Sequence, residues 1–588
     1  MQNIRTPGVY IQEISKLPAS VAPVATAVPA FVGYTKQRVQ NKEELTANTP
    51  VMVESLLEYE EIFGGAFIEP FTVTLEPDPE NTDETVIQIG PVEEELSPYL
   101  MHHCMRLYFG NGGGKCWIVS VGDGYDDDSD NSSIDPDALV SGVQALEKED
   151  EPTILVVPEA IKVTTEKRKE LHDVMLEQCE RLKDRFALFD VLTGDQKNSN
   201  LDAGVFRNDE VGMSSLKYGA AYYPSLKTSI LRSYDEALIG ITDNRGGSGN
   251  GPANGLSLGD LSSGIRGDQA RIVVEDLDDL EAGDVLTVNG VEFTFIEAAD
   301  DIEVEEDEIK LKTTLEGVAE EIAKKVDGHE DFHARHIIGE SVVLITLSDP
   351  DEDDELEASF NGEDEILAIS VEEVFITEPD TSLYNKIKKE LDKKRLDLYP
   401  SAAMAGVYAR VDRNRGVWKA PANVSLNLVS GPSVILTDEE QAGLNVDPNS
   451  GKSINAIRNF HGKGTIVWGA RTLAGNDNEW RYIPVRRLFI FIEESIRKAT
   501  EPVVFEPNDA NTWTKTRSMI ENFLTGLWRD GALAGATPEE AFFVRVGLGQ
   551  TMNNNDILEG RMIIEIGLAA VRPAEFIILQ FMHKLQES

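Results

Sequence analysis

Three short stretches of the 588-residue sequence carry side chains of the kind that hold phosphates or metal ions. Gly110-Asn111-Gly112-Gly113-Gly114-Lys115 ends in the Gly-Lys pair of a phosphate-binding loop, in which backbone N–H groups cradle an anion. The pattern is incomplete, because Phe109 stands where the first glycine is needed and Cys116 replaces the hydroxyl that would ligate magnesium. A tight turn is the simpler reading. Asp126, Asp128 and Asp130 fall on the first three ligand positions of a calcium-binding loop. Asn131 replaces the glycine of its sharp bend, however, and Asp137 the longer bidentate glutamate, so a solvated acidic loop is expected. His102-His103-Cys104 offers zinc ligands with no matching cluster elsewhere in the sequence to complete a tetrahedron. No Gly-x-Ser-x-Gly elbow or Cys/His nucleophile pattern appears, and the eight histidines form no convergent set. Acid pairs abound, but 104 acidic residues guarantee that by chance. Neither catalysis, a metal nor a cofactor is expected.

Composition narrows the remaining classes. A net charge of −50 argues against nucleic acid as a partner, since phosphate binding needs basic patches. Cys104, Cys116 and Cys179 are an odd, sparse set that suggests reduced thiols. No basic stretch followed by an apolar core opens the chain, so no secretory leader is expected, and no apolar run approaches the ~20 residues of a membrane helix. The charge is unevenly placed: Arg271 to Asp380 holds 36 acidic and 6 basic residues, whereas Gly451 to Ser588 holds 16 of each. If many copies pack together, the acidic segment belongs where copies are far apart, because charges beyond a Debye length of ~8 Å hardly interact. The neutral segment can be the crowded one.

The elements follow a multidomain, mixed α+β plan. After a proline-punctuated arm (residues 1–29), an α/β middle domain runs over 30–234 and 380–450, split by an acidic, β-rich insert at 235–379. Strands at Ala30–Tyr34, Cys116–Val121, Thr153–Pro158, Phe186–Val191 and Tyr218–Pro224 alternate with helices at Tyr99–Tyr108, Asp137–Glu147 and Glu166–Lys183. The insert carries strands at Arg271–Glu275, Val285–Val288, Val291–Ile296 and Ser341–Leu347 and a helix at Leu315–Val326, and a helix at Leu383–Leu398 resumes the middle domain.

A compact α+β carboxy-terminal module spans 451–588. Its first helix, Val485–Ala499, has an inner stripe of Leu488, Phe491, Ile492, Ser495 and Ile496, with Glu493–Arg497 and Glu494–Lys498 pairs outside. Asn511 or Thr512 caps a second helix that runs to Arg529 and exposes Lys515, Arg517 and Arg529. Strands at Phe542–Leu548 and Arg561–Ala569 flank a turn at Asn553–Asp556. The chain then ends in Phe576-Ile577-Ile578-Leu579-Gln580-Phe581-Met582, apolar on both faces apart from Gln580. Such a strand needs neighbours, yet stands where chains normally fray. It either tucks into its own domain or completes another chain's sheet. The opening Val9-Tyr10-Ile11-Gln12-Glu13-Ile14, a short strand after Pro7-Gly8, tips the balance. Two β-prone ends suggest strand addition between copies, with main-chain hydrogen bonds as adhesive.

The segment Tyr408-Ala409-Arg410-Val411-Asp412-Arg413-Asn414-Arg415-Gly416-Val417-Trp418-Lys419-Ala420-Pro421-Ala422-Asn423 resembles the signature of contractile tail sheath proteins. Pro7–Tyr10, Tyr222–Pro224, Val467–Thr472, Val485–Arg487, Phe505–Asn508, Gly560–Arg561 and Arg572–Phe576 match in the family's order. The insert falls outside the match. The resemblance implies a non-enzymatic subunit that forms rings, hexameric and stacked helically, around an inner tube, with baseplate and terminator (cap) proteins at the ends. It also implies assembly in the bacterial cytoplasm, terminal strands lent between subunits, a carboxy-terminal module lying innermost and an insert outside. Lys515, Arg517 and Arg529 are the expected tube contacts, and no membrane insertion is expected. The alternative is a secreted adhesin or calcium-dependent surface protein built on the acidic insert.

Overall fold

The computed structural model describes residues 21–579, except 78–84, 91–97, 123–124, 126–133, 195, 246–251, 255, 264–268, 278–279, 297–307, 313, 328, 330–331, 338–340, 348–355, 362–365 and 373–379. Its centre is an eight-stranded sheet. In chain order the strands are β1 (Pro29–Gly33), β2 (Pro50–Val53), β3 (Cys116–Ser120), β4 (Ile154–Val156), β5 (Phe186–Asp190), β6 (Gly219–Tyr223), β7 (Ile454–Phe460) and β8 (Gly464–Val467). In space they run β8-β7-β6-β5-β4-β1-β3-β2. The six inner strands are parallel, and β2 and β8 close the two edges antiparallel. Buried runs such as Pro29-Ala30-Phe31-Val32-Gly33 form strands covered on both faces.

Alternation along β1 assigns the covering helices. Gly33 abuts Met101 of helix α1 (Met101–Gly110), whereas Val32, one residue earlier and so on the other face, abuts Gly142 of α2 (Pro136–Ala145). Helix α3 (Thr165–Leu182) packs beside α2. On the first side α1 pairs with α4 (Pro400–Arg415), which lies across β4, β5 and β6. Helix α4 is buried all round from Pro400 to Ala409, with charged residues only from Arg410 onward, and carries the first half of the signature segment. A side chain at Gly406 would sit 2.4 Å from the carbonyl of Tyr108, so only glycine permits this approach of α1 and α4.

Smaller cores surround the sheet. Strands Thr72–Pro77, Thr85–Gly90 and Ile241–Asp243 form one sheet, whose core is shared with the helix Thr381–Leu391. The expected helix Leu383–Leu398 is thus too long. It stops at Leu391, and Arg395–Leu398 becomes a strand between the turn at Asp392 and its pairing with Leu226–Leu231. Residues 269–372 form a separate body of two four-stranded sheets around the helix Leu315–Asp327, with its own core.

The carboxy-terminal module consists of α5 (Ile483–Thr500), α6 (Ala510–Arg529) and a ribbon of β9 (Phe542–Arg545) and β10 (Glu565–Leu568). Leu488, Phe491, Ile492, Ser495 and Ile496 are buried as the stripe requires. The outer pairs rearrange: Glu494–Lys498 forms at 3.3 Å, but Glu493 accepts from Arg486, while Arg497 takes Glu494 and Glu501. The cap of α6 is Asp509, whose carboxylate accepts from the N–H groups of Asn511 and Thr512. Asn553–Asp556 is a capping box that opens the short helix Asn554–Leu558.

Candidate assembly interface

Among the described residues, the stretches with chemical potential build no site. The glycine-rich run turns its polar groups onto its own chain: Gly112, at φ +96°, gives its carbonyl to Arg413 at 2.9 Å, Gly114 N–H donates to the Tyr108 hydroxyl at 3.1 Å, and Lys115 pairs with Glu151. Asp126, Asp128, Asp130 and Asn131 lie outside the described residues, and Asp137 sits on α2 facing Lys167. His102 and His103 are buried in α1. Burial pushes both imidazoles down, His103 to about 3, against a partly compensating contact of His102 with Glu60 at 2.9 Å. Among the described residues no group of three or more His, Cys, Asp or Glu side chains could hold a metal.

An open parallel sheet binds ligands in the crevice where its strand order reverses. Here that point lies between β1 and β4, and the protein fills it. Glu159, just beyond β4, is fully buried and accepts from Leu100 N–H at 3.0 Å at the start of α1. A Cβ on Gly33 would come within 2.1 Å of its second oxygen. Burial raises this carboxyl to about 7, although backbone N–H groups of α1 favour its charged form.

The carboxy-terminal module is different, because its polar backbone is open. β9 and β10 pair only with each other, in register Phe542↔Leu568 to Arg545↔Glu565, and among the described residues no third strand joins either edge. A two-stranded ribbon is marginal alone, and open edges are templates for further strands. Beyond β10 the chain makes one antiparallel bridge, Ala570 with Leu533, and from Arg572 to Leu579 joins no strand among the described residues. Phe576, Ile577, Ile578 and Leu579 are 71, 81, 82 and 72 % exposed. The option of a strand in the protomer's own core is therefore not taken through Leu579. Gln580, Phe581 and Met582 lie outside the described residues, as do Val9, Tyr10, Ile11, Gln12, Glu13 and Ile14.

Both end segments are pinned where they meet the body, by residues that sequence reasoning did not single out. Glu575, the last residue before the exposed run, accepts from Arg471 at 2.6 and 2.9 Å, from Asn445 at 2.8 Å and from the Tyr482 hydroxyl at 3.1 Å. Partial burial opposes its charge, but these donors hold the carboxyl below the usual range. At the other end Val21 joins the core of the module, Val24 N–H donates to Ser495 at 3.2 Å, and Arg487 donates to the Thr26 carbonyl at 2.7 Å. Arg487 is itself locked to Asp412 of α4 at 2.6 Å, with both side chains buried, and lies over Tyr408. The only sequence clue was that Arg471, Arg487, Asp412 and Glu575 all fall inside the segments matching the family.

Lys515, Arg517 and Arg529 are all exposed on α6, but not as one patch. At 100° per residue, Lys515 and Arg529 share a face while Arg517 points roughly 160° away from Lys515 and pairs with Glu521 at 2.7 Å.

The family model for the phage tail sheath C-terminal domain matches residues 475–583, which include α5, α6, the ribbon and the exposed run. The tail sheath protein of Vibrio phage KVP40 is 25% identical over 179 residues, 30% of this chain and 25% of the phage protein, so the alignment spans about a quarter of that relative. Among solved structures, the contracted helical sheath of the anti-feeding prophage is 27% identical with a TM-score of 0.53, covering 99% of both chains. The contracted sheath complex of the extracellular contractile injection system PVC is 25% identical with a TM-score of 0.51, covering 99% of this chain and 98% of that one. The carboxy-terminal match and the likeness of the whole chain to solved sheath subunits agree: the chain belongs to the contractile tail sheath proteins of phage tails and contractile injection systems.

Proposed function

We propose that this chain is the repeating subunit of a contractile sheath, a structural protein that polymerises around an inner tube and shortens to drive the tube through a target envelope. Copies form six-membered rings stacked helically in the bacterial cytoplasm, bounded by baseplate and cap proteins, and act as part of a phage tail or a released particle. The 451–588 module lies innermost, with Lys515 and Arg529 the first candidates to meet the tube and Arg517 the third. The 235–379 insert faces outward, where its charge is harmless. Membership of the sheath family leaves no role for a secreted calcium-dependent adhesin.

One observation carries the reading: among the described residues, a ribbon that no third strand joins stands in the same protomer as an exposed apolar run, Phe576–Leu579, that joins no sheet. Val9–Ile14 of one neighbour and Phe576–Met582 of another fill those edges. Six to eight main-chain hydrogen bonds at ~1 kcal/mol each make a tether that survives movement of the outer domains. Contraction draws on stored conformational energy. If it buries an extra ~300 Å² of apolar surface per subunit, area bookkeeping gives at most ~7 kcal/mol for each copy. Removal of Phe576–Ser588 tests the tether: the truncated protomer stays folded and soluble but forms no sheaths by electron microscopy, and normal sheaths from it would refute the linkage.

A further inference from the structure

Exposure along the carboxy-terminal segment alternates from Val571 to Glu575 and is unbroken from Phe576 to Leu579. The Glu575 side chain is 21% exposed, and the four residues after it are all above 70%. Its carboxylate meets groups from three separate places: Asn445 at the end of the helix Asp438–Asn445, Arg471 in the loop after β8, and Tyr482 at the start of α5. Arg471 is buried and presents its fork, Nε and one terminal nitrogen, to both carboxylate oxygens, a geometry that fixes direction as well as position. A second terminal nitrogen donates to the Asn445 carbonyl at 3.2 Å.

The contacts continue inward. Arg471 N–H donates to Asn455 Oδ1 at 2.8 Å, and Asn455 Nδ2 donates to the Arg471 carbonyl at 2.8 Å and to the Ala221 carbonyl at 3.1 Å. Asn455 is on β7 and Ala221 on β6, both buried in the eight-stranded sheet. A continuous set of hydrogen bonds therefore leads from the root of the exposed run to the largest rigid body of the protomer.

We propose that Glu575 and Arg471 are positioning residues that anchor the carboxy-terminal strand to the eight-stranded sheet, setting where it leaves the protomer and passing tension on it to the middle domain. This rests on the reading that the strand pairs with a neighbouring subunit. Without the anchor, the first residues of the segment would give way when a neighbour pulls, and movement of the middle domain would not reach the linked subunit.

The test uses the full-length chain and three variants, Glu575→Ala, Glu575→Gln and Arg471→Lys, beside the truncation that lacks Phe576–Ser588. Hydrogen exchange in the free protomer reads the anchor, and electron microscopy reads assembly. Glu575→Ala is expected to raise exchange at Val571, the last amide before the run with a main-chain acceptor (the Ala532 carbonyl, 3.3 Å), at least tenfold, to leave exchange in β4 to β6 unchanged, and to cut sheath yield at least tenfold. Glu575→Gln keeps acceptor and shape but not charge, and Arg471→Lys keeps charge but not the fork, so both fall between Glu575→Ala and wild type. Wild-type exchange at Val571, or wild-type sheath yield, in all three variants would overturn the anchor. In that event a truncation that still abolishes sheaths leaves the linkage reading standing, whereas a truncation that assembles normally removes the linkage itself.

Discussion

The two principal sheets of this protomer solve the edge problem in opposite ways. The eight-stranded sheet ends on antiparallel strands, β2 and β8, and is packed by α1 and α2 on opposite faces. It even fills its own ligand crevice with Glu159. Among the described residues the β9–β10 ribbon gains no third strand, and it is supported on one side by α6. The first is complete as folded, so damage to it should be felt by the isolated chain. On the proposed linkage the second is half a structure, so damage to the strands it receives should be silent until copies meet.

Deleting Met1–Lys16 tests the contrast at its widest. The variant is expected to melt within about 2 °C of the full chain, since it loses no residue of the described cores, and to form no sheaths by electron microscopy. A large fall in melting temperature would place the arm in the protomer's own core and erase the distinction. Phe31→Ala probes the other sheet. Phe31 is fully buried on β1, edge-on to Tyr108 with ring centroids 5.1 Å apart, and its truncation should cost about 3–5 kcal/mol in denaturant titrations of the isolated protomer. A loss below about 1 kcal/mol would mean that the sheet is looser than its burial indicates.

The filled crevice makes a smaller, pH-dependent prediction. Glu159 titrates near 7 in the folded chain, against 4.5 when unfolded. Between those values the folded state keeps a proton that the unfolded state releases, so this group's contribution to stability falls as pH rises through the window. Glu159→Gln should therefore stabilise the protomer by on the order of 2 kcal/mol at pH 8, with the gain fading towards pH 4.5. His103 and His172, held neutral with values of about 3, lose stability below pH 6.5 and tilt the profile the other way, so the variant must be compared with wild type at each pH. A gain that does not change with pH would sink the assignment. The smallest effect belongs to the acidic body: joining the chain across Asp268–Thr377 should leave sheath formation and the melting of the remaining cores unchanged, and loss of sheaths would make the insert a structural member.

Much of this organisation was legible in the sequence because it rests on local pattern. Uninterrupted apolar runs marked β1, β4 and β5, and helical spacing marked α5 and its buried stripe. The unusual apolar ending pointed to Phe576–Leu579. What could not be read was long-range. Arg395–Leu398 has ordinary helical composition and becomes a strand only because Leu226–Leu231 and Val429–Pro432 share its sheet. In Asn508-Asp509-Ala510-Asn511-Thr512 four side chains compete to cap one helix, and the choice of Asp509 is settled by Asn508, which is occupied by Trp513 and by the Arg561 carbonyl. The Arg471–Glu575 pair spans 104 residues, and among 104 acids and 54 basic residues nothing local singles it out.

The acidic body enters and leaves by adjacent strands, since Gln269 on its first strand is the register partner of Glu372 on its last. Its two stems are thus one strand spacing apart, about 5 Å, whatever lies between them. A graft at that place asks its host to bridge no distance, so the body can be exchanged, enlarged or dropped as a cassette. With the insert placed outward as proposed, particles could then carry a foreign coat while the machinery beneath stays as it was.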